Sequence, residues 1–522
     1  MGSDTDHFLI GGGVASLAAA ALLIRDAGVD GQSICIIEQS DVLGGSLDGA
    51  GSTETGFSTR GGRMFEKNFR CTFDLFDTFP SIDDPTLSVT EEIRAFNRQV
   101  VSNADCRLVR NGRKVADRHR LKLTWADKAA MLRLMATSEK SLAGRTIDSW
   151  FRPEFFQTNY WLLWATMFSF TPWHSLAEMR RYMRRFIHLF PGLTRLKGVL
   201  RTRYNQHETL ILPMKNWLAD RGVQFRTGSA VADIKIEGDL AARRVTSISL
   251  DNREVIAVRR RDQVYITLGS MTDASSVGTN KVAPMQTEGP GPAWSLWHAL
   301  AKENAGLGNP AAFSGAPEKT TWHSFTVTLN NSKFLEFMEQ FSGSESGAGG
   351  LVTFVDSGWL LSIVVFHQPH FRNQPGGSTT FWGYGLTGDQ PGDHVEKPMG
   401  DTTGTEILEE LAWQMRLGED QKRWFDGAKV IPCRMPYITS QFMPRNPGDR
   451  PPVRPKGAEN FAVIGQYCEL ERDCVFTVEY SVRSAWQAVR EMNDEVSPPP
   501  PVVRSDRNLA VMLDAARQML RN

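Results

Sequence analysis

The sequence predicts an α/β protein that opens with a Rossmann-type βαβ unit and continues into further domains. Three observations predict this class. His7–Ile10 is a short apolar run, which is typical of a buried strand. Residues 11–13 are three glycines that form a turn, and Val14–Ala27 is a stretch of small and aliphatic residues suited to a buried helix. Residues 33–37 form a second apolar run that ends at Glu38, which completes β-α-β within about 32 residues.

Length and composition bound the remaining possibilities. A chain of 522 residues predicts two to four domains. Lysine plus arginine equals aspartate plus glutamate, at 59 each, so charge predicts no nucleic acid partner. The six cysteines have no metal-ligand spacing, which predicts thiols in a reducing cytoplasm and no metal site. The longest apolar run, residues 9–24, is shorter than the roughly 20 residues of a membrane-spanning helix.

The glycine-rich turn predicts a dinucleotide site. Gly11 permits the tight turn, and Gly13 lets the backbone approach a pyrophosphate at the helix N-terminus. Ser16 takes the third small position of the fingerprint, where the helix packs closely on the strand. Glu38 is placed to accept hydrogen bonds from ribose hydroxyls, which favours FAD or NAD over a 2′-phosphorylated cofactor. An empty Rossmann-like fold is the alternative.

A second glycine-rich stretch favours FAD over NAD. Gly44, Gly45, Ser46 and Leu47 follow Glu38 closely. Flavoproteins use such a stretch to bring backbone near the ribityl-pyrophosphate chain. The sequence therefore predicts a flavoprotein.

The rest of the chain is mixed in character. Residues 150–190 contain 13 aromatic residues among 41 and predict buried helices. Residues 221–268 and 322–366 contain strand-like runs, and residues 461–465 form another short apolar strand. A proline-rich linker starts at Ser497, and a terminal helix is expected from about Arg507.

Ten stretches together carry a resemblance to a known family. They are residues 60–63 (RGGR), 68–75 (NFRCTFDL), 173–175 (WHS), 179–186 (MRRYMRRF), 204–206 (YNQ), 435–440 (MPYITS), 442–445 (FMPR), 448–451 (GDRP), 461–466 (FAVIGQ) and 476–483 (FTVEYSVR). In this order, and over nearly the whole chain, they resemble the fatty acid (oleate) hydratase family, formerly called myosin-cross-reactive antigen.

The resemblance implies an activity. Members of that family add water across an isolated cis double bond of a long-chain unsaturated fatty acid, as in the conversion of oleate to 10-hydroxystearate. FAD is bound, but the reaction has no net redox change. The chain is therefore expected to be a cytoplasmic lyase that uses a fatty acid and water. We expect a homodimer or a monomer, with possible peripheral membrane contact.

The resemblance also implies a fold, in which a glutathione-reductase-like FAD domain is assembled from separated segments around an inserted α+β substrate domain and helical elements. The expected divisions are residues 1–80, 215–300 and 430–495 for the FAD domain, 81–214 for a largely helical region lining the substrate channel, 301–429 for a β-rich substrate domain, and 496–522 for the linker and C-terminal helix. Further residues expected at the flavin are Arg60, Gly61, Gly62, Arg63, Val231, Ser270, Phe476 and Thr477.

Catalytic candidates follow from the same resemblance. Tyr182 matches the tyrosine that the family uses as proton donor. A free phenol has a pKa of about 10, so this role requires neighbours that stabilise the phenolate or a proton relayed from water. The family's usual water-holding glutamate is replaced here by Met64, whose thioether accepts hydrogen bonds only weakly. Glu66 is a weaker substitute, because the intervening backbone is expected to point it elsewhere.

The substrate carboxylate site departs from the family pattern as well. The usual Thr-x-Asn-x-x-x-His aligns with Val364, Phe366 and His370, so only the histidine remains. Losing two polar partners weakens a buried carboxylate site, so either the head group binds elsewhere or the preferred substrate differs in length or head group. Other residues expected at the substrate are Tyr204, Asn205, Gln206 and Thr439.

Several alternatives remain open on sequence alone. The aromatic stretch at 150–190 fits either an acyl channel or plain helical core, and the basic run at 180–203 fits either an anion-attracting surface or a solvated helix face. A flavin oxidoreductase acting on a hydrophobic substrate would begin with similar glycine-rich segments. A non-catalytic FAD- and lipid-binding protein is the third hypothesis, because Met64 cannot act as a base.

Overall fold

The computed structural model describes residues 5–62, 64–287 and 289–520. Within them the strands are β1 His7–Ile10, β2 Ile34–Ile37, β3 Gly49–Ser52, β4 Gly56–Thr59, β5 Phe65–Glu66, β6 Leu108–Arg110, β7 Arg113–Lys114, β8 Val199–Leu200, β9 Gln224–Arg226, β10 Val231–Gly238, β11 Arg243–Leu250, β12 Val255–Ala257, β13 Gln263–Thr267, β14 Ser276–Val277, β15 Trp322–Leu329, β16 Val352–Phe354, β17 Leu361–Val365, β18 Thr379–Gly385, β19 Lys429–Met435 and β20 Phe461–Ile464.

The α-helices of the same residues alternate with these strands. They are α1 Val14–Ala27, α2 Arg70–Phe76, α3 Val89–Gln99, α4 Trp125–Ala136, α5 Asn159–Phe168, α6 Leu176–Arg185, α7 Leu212–Ala219, α8 Pro292–Glu303, α9 Ala311–Ser314, α10 Pro317–Thr320, α11 Lys333–Ser342, α12 Gly404–Gln414, α13 Glu419–Lys422, α14 Val478–Met492 and α15 Leu509–Leu520. No helix of the described chain combines the length and the apolar character that crossing a membrane requires.

A five-stranded parallel sheet forms the first layer, in the order β20-β13-β1-β2-β9. Its central strand is buried on both faces, and Leu9 pairs with Tyr265 on one side and Ile36 on the other. Helix α1 is covered by α14 and α7, and its row of buried alanines allows this close packing. The predicted Rossmann class is confirmed, and β2 starts at Ile34 because a short 3-10 turn capped by Asp30 precedes it.

An eight-stranded sheet forms the second layer, in the order β14-β19-β15-β18-β17-β16-β6-β7. All pairs are antiparallel except β16 with β6. Side chains alternate between its two faces. Phe325 and Phe381 enter a closed core on one face, whereas Trp322, Trp382 and Tyr384 point to the other face, toward the Rossmann layer.

Several strands join a sheet other than the one to which the predicted divisions assign them. Strand β19 falls in the predicted FAD segment 430–495, but it pairs with β15 along seven residues and belongs to the eight-stranded sheet. Strands β6 and β7, from the region expected to be largely helical, extend the same sheet. Sequence alone did not show this because short apolar strands carry no label of the sheet they join. Helix α15 begins at Leu509, after a 3-10 turn that contains Arg507.

The basic run on α6 is mostly buried, so the interpretation as a solvated face is wrong there. Arg181 pairs with Glu139 and with Glu469 at 2.6 Å. Arg185 pairs with Glu66 at 2.9 Å and with Asp473 at 3.5 Å. These ion pairs fix α6 between the two layers.

Candidate functional site

A cleft opens at the carboxyl ends of β1, β2, β13 and β20, where parallel α/β sheets bind ligands. Gly11 starts the turn with φ +92°, a conformation that favours glycine. A Cβ on Gly13 would meet no protein atom within 4 Å, although one on Gly12 would lie 2.5 Å from Leu43. Gly13 is also the N-cap of α1 and offers no capping side chain. The helix N-terminus is therefore open to the cleft and suited to an anion.

Glu38 lies at the rim of this cleft, one residue after β2. Its carboxylate accepts hydrogen bonds from the backbone N–H of Gly12 and, at 2.8 Å, of Ser40. Burial raises the pKa of Glu38, while these backbone donors oppose the rise. The remaining lone pairs of the carboxylate are available to hydroxyl donors.

Arg60 supplies a buried cation to the cleft. Its Nε donates to both oxygens of Asp48 at 2.8 Å. Burial opposes its charged form, but the Asp48 carboxylate raises the pKa of Arg60. Its Nη1 is buried without a partner among the described residues. An orphaned guanidinium nitrogen beside an open helix N-terminus fits a pyrophosphate.

The other predicted cofactor residues divide into four groups. Gly44, Gly45, Ser46, Val231 and Ser270 line the cleft. Ser16 and Leu47 are packed behind it, with the Ser16 hydroxyl 3.4 Å from that of Thr267. Arg63 lies outside the described residues. The last four, Gly61, Gly62, Phe476 and Thr477, line a neighbouring cavity.

This neighbouring cavity, the apolar pocket, lies between the Rossmann layer and the second sheet. Its walls combine the chain just after Arg60, the end of α5, helix α6 and the strands β17 and β18. Apolar lining residues include Met64, Phe65, Phe69, Met167, Phe168, Phe186, Leu189, Val199, Trp322, Leu351, Val364, Phe366, Trp382 and Phe476. Arg60 lines the cleft and the next two residues, Gly61 and Gly62, line the pocket, so the two spaces adjoin.

Tyr182 faces this pocket from α6 and is 2% exposed. Its hydroxyl donates to the carbonyl oxygen of Val475 at 2.5 Å. The rings of Phe168, Phe170 and Phe186 lie 5.0 to 5.4 Å from its own ring. The predicted proton donor is thus placed among aromatic rings at the pocket wall.

Met64 and Glu66 both line the pocket, so the expectation that the backbone turns Glu66 away is wrong. Phe65 and Glu66 form a two-residue strand that pairs with β8, and Phe65 lines the pocket as well. Glu66 accepts hydrogen bonds from Arg185 at 2.9 Å and from the backbone N–H of Asn68 at 2.7 Å. His188 Nε2 lies 3.1 Å from its second oxygen. Glu66 is the one carboxylate that lines the pocket among the described residues.

The predicted substrate residues are only partly brought together. Val364, Phe366, His370, Asn205 and Gln206 line the pocket. The ring of His370 stacks on Phe366 at 3.6 Å, and burial lowers the pKa of this histidine to about 3. The remaining two predicted residues, Tyr204 and Thr439, do not line it. The Thr439 hydroxyl instead donates to the carbonyl oxygen of Thr320 at 3.1 Å.

Comparison with known proteins decides the family. The chain matches the model of the MCRA family over residues 4–490. It belongs to the MCRA family. The chain is 36% identical to an oleate hydratase of Streptococcus pyogenes serotype M49 (strain NZ131), over 92% of this chain and 84% of that protein. It is 30% identical to a linoleate hydratase of Lactiplantibacillus plantarum, over 98% of each.

Two solved structures resemble the fold of this MCRA chain. Cyclohexylamine oxidase from Brevibacterium oxydans IH-35A superposes with a TM-score of 0.54 at 13% identity, over 94% of this chain and 99% of that chain. Wild-type putrescine oxidase gives a TM-score of 0.52 at 11% identity, over 94% and 98%. Both likenesses concern the fold.

Some site residues of this MCRA protein carried no clear sequence signal. Gln466 lines the cleft, and its amide donates to the Thr477 carbonyl at 3.1 Å. Its position just after the glycine that ends β20 could have indicated it, because ligands bind at the carboxyl ends of parallel strands. Arg201 lines the apolar pocket. Within a run of arginines nothing in the sequence distinguishes it.

Proposed function

We propose that this chain is an FAD-dependent hydratase that adds water across the cis double bond of a long-chain unsaturated fatty acid. Fatty acid hydratase activity, predicted from sequence, is confirmed by the two curated relatives. The observation that carries the proposed site is that Tyr182 and Glu66 line one apolar pocket beside the dinucleotide cleft. An acid and a carboxylate in a pocket for an alkyl chain are what alkene hydration requires.

FAD is the cofactor that the cleft fits best. The open N-terminus of α1, the carboxylate of Glu38 and the orphaned Nη1 of Arg60 match a pyrophosphate and a ribose. The adjoining position of the pocket, reached through Gly61 and Gly62, suits a flavin ring at the boundary. When bound, the flavin supplies a planar polar wall to the pocket, and the hydration has no net redox change.

Tyr182 is the proposed proton donor. Its phenol transfers a proton to one alkene carbon, and a water oxygen forms a bond to the other carbon. The proton released by that water returns to the phenolate through solvent in the pocket, so that one water is consumed and the tyrosine is restored. The aromatic rings of Phe168 and Phe186 line the pocket, where the electron-rich face of such a ring stabilises a positive charge that develops on carbon.

Glu66 is the proposed holder of the water. A carboxylate has about four acceptor sites. Three are used by Arg185, Asn68 and His188, and the oxygen that faces Arg185 has one such partner. Glu66 can therefore accept one more hydrogen bond and orient a water. Met64 cannot do so, and it packs with Trp322 and Trp382 as part of the apolar wall.

Product analysis tests this function. The flavin-loaded protein is incubated with a panel of cis-unsaturated fatty acids, and the products are analysed by mass and hydroxyl position. We expect a hydroxy fatty acid heavier than the substrate by one water. A panel without any such product would contradict the proposal. The cytoplasmic location, the homodimer or monomer and the peripheral membrane contact stay predictions.

A further inference from the structure

A partly buried arginine in the wall of the apolar pocket lacks an acidic partner. Arg201 follows β8 and lines the pocket beside Asn205 and Gln206. Among the described residues, no carboxylate oxygen lies within 4.0 Å of a guanidinium nitrogen of Arg201. Its Nη1 donates to the carbonyl oxygen of Gly347, which leaves its other donors without a protein acceptor in the described chain.

The surrounding backbone holds this guanidinium in place. The side-chain amide of Asn97 makes two hydrogen bonds to the main chain of Arg201. It accepts from the Arg201 N–H at 3.0 Å and donates to the Arg201 carbonyl oxygen at 2.7 Å. A Cβ on Gly350 would lie 2.3 Å from Nη2, so that only glycine lets the guanidinium sit there. The position is thus built around the charged group, which is pre-organised before any ligand arrives.

Charge around this position is unbalanced. Burial lowers the pKa of Arg201 to about 10. Burial also lowers the pKa of Arg107 to about 9, and the charge of Arg201 adds to that effect. Arg107 donates to two backbone carbonyls, those of Leu193 at 2.7 Å and Leu163 at 3.1 Å, while its Nε is buried without a partner among the described residues. Two neighbouring cations without an acid, one buried and one partly buried, produce a positive potential that favours an anion.

The pocket positions 364, 366 and 370 do not provide an alternative binding site for a carboxylate. Val364 and Phe366 line the pocket and are apolar, so neither can donate a side-chain hydrogen bond to a carboxylate. The remaining His370 is buried with its low pKa and is uncharged near neutral pH. Arg201 is then the permanent cation in the pocket wall among the described residues.

We propose that Arg201 is the receptor for the carboxylate of the fatty acid, and that it restricts the enzyme to free acids over esters and alcohols. The identity of the ligand rests on the proposed function. A guanidinium binds a carboxylate through two parallel N–H donors, which a lysine cannot match. The carboxylate supplies the negative charge that the site lacks, and the alkyl chain then lies along the apolar wall.

Binding of a saturated ligand tests this assignment independently of catalysis. Stearate cannot be hydrated, and methyl stearate has the same chain without the charge. Affinities of both are measured by calorimetry on the flavin-loaded protein. We expect Arg201→Met to weaken stearate binding by about 10- to 100-fold, the effect of losing a charge-assisted hydrogen bond, and to leave the ester unchanged. Arg201→Lys should give an intermediate loss.

A matched control is available two residues away. Arg203 is exposed and does not line the pocket, so Arg203→Met should bind both ligands as the wild type does. Equal affinity of the wild type for acid and ester, or unchanged stearate binding in Arg201→Met, would overturn the assignment. If Arg201→Met does not fold, the wild type and Arg201→Lys decide by the same comparison. If stearate binding depends on Arg201 but no fatty acid is hydrated, the carboxylate-binding role of Arg201 is supported and the proposed hydratase function is contradicted.

Discussion

The hydroxyl of Tyr182 donates to the carbonyl oxygen of Val475 at 2.5 Å, which ties α6 to the loop before α14. The same loop is held by Asp473, which pairs with Arg483 at 2.8 Å and with Arg185 at 3.5 Å. Phe476, which directly follows Val475, lines the pocket and has a left-handed backbone conformation with φ +66°. The tyrosine and the wall of its pocket are therefore positioned by one set of contacts.

Tyr182→Phe tests the proton donor. The variant keeps the ring contacts and removes the hydroxyl, so we expect hydration to fall by about 100-fold or more while flavin binding persists. Activity is followed by product formation from oleate, and flavin content by the absorbance of the purified protein. Turnover close to that of the wild type would rule out this role.

Gly13→Val tests the pyrophosphate position. The valine side chain would meet no protein atom at its Cβ, so the fold should survive while the ligand is blocked. We expect a colourless protein with a normal circular dichroism spectrum. Gly376→Val is the control, since Gly376 is exposed and also has open space. A yellow Gly13→Val protein would contradict the placement of the pyrophosphate at Gly13.

Much of the cofactor site was predictable because its signals are local. A four-residue apolar strand, three glycines and an alanine-rich helix can fold only in a few ways, and β1 and α1 match their predicted bounds. Glu66 was misjudged because its orientation depends on pairing with Val199, which is distant in sequence. Thr439 was expected at the substrate through a motif, but its hydroxyl is used by Thr320. Such long-range choices leave no local pattern.

Glu66→Gln and Met64→Glu together test how water is held. Glu66→Gln should lower hydration by about 100-fold, because the amide is a weaker acceptor and cannot take up a proton. Met64→Glu should raise the rate, since position 64 faces the same pocket, and should make the loss at Glu66 smaller.

The control for lost ion pairing is Glu479→Gln. Glu479 is buried, pairs with Arg483 at 2.7 Å and does not line the pocket, so that variant should affect unfolding more than hydration. Rates are compared on samples matched for flavin content. An unaltered rate in Glu66→Gln would exclude it as the water holder, and a clear loss in Met64→Glu would mean that the site depends on methionine.

Buried histidines predict acid sensitivity. Burial lowers the pKa of His7, His174, His323 and His370 to about 4, 3, 4 and 3. In the unfolded chain a histidine has a pKa of about 6.5, so below that pH the unfolded state binds more protons. The free energy of unfolding should therefore fall as the pH drops from about 6.5 toward 4, by up to roughly 1.4 kcal/mol per pH unit for each histidine.

His174→Asn isolates one of these groups. Asparagine can still accept the hydrogen bond that the backbone N–H of Thr171 donates to His174 at 3.0 Å. The free energy of unfolding is measured with urea at several pH values. As the pH falls, we expect it to decrease by roughly 1 kcal/mol per pH unit less in the variant than in the wild type. Parallel pH dependences of the two proteins would show that His174 is protonated in the fold.

Labelled water tests the central claim most directly. Oleate is incubated anaerobically with the flavin-loaded protein in water enriched in oxygen-18, and the product is analysed by mass spectrometry. Hydration predicts a hydroxystearate that carries one labelled oxygen and forms without oxygen or a reductant. A product that requires oxygen, contains an additional double bond or appears with peroxide would contradict the account and favour an oxidoreductase. Tightly bound but unchanged oleate would instead favour a lipid-binding protein.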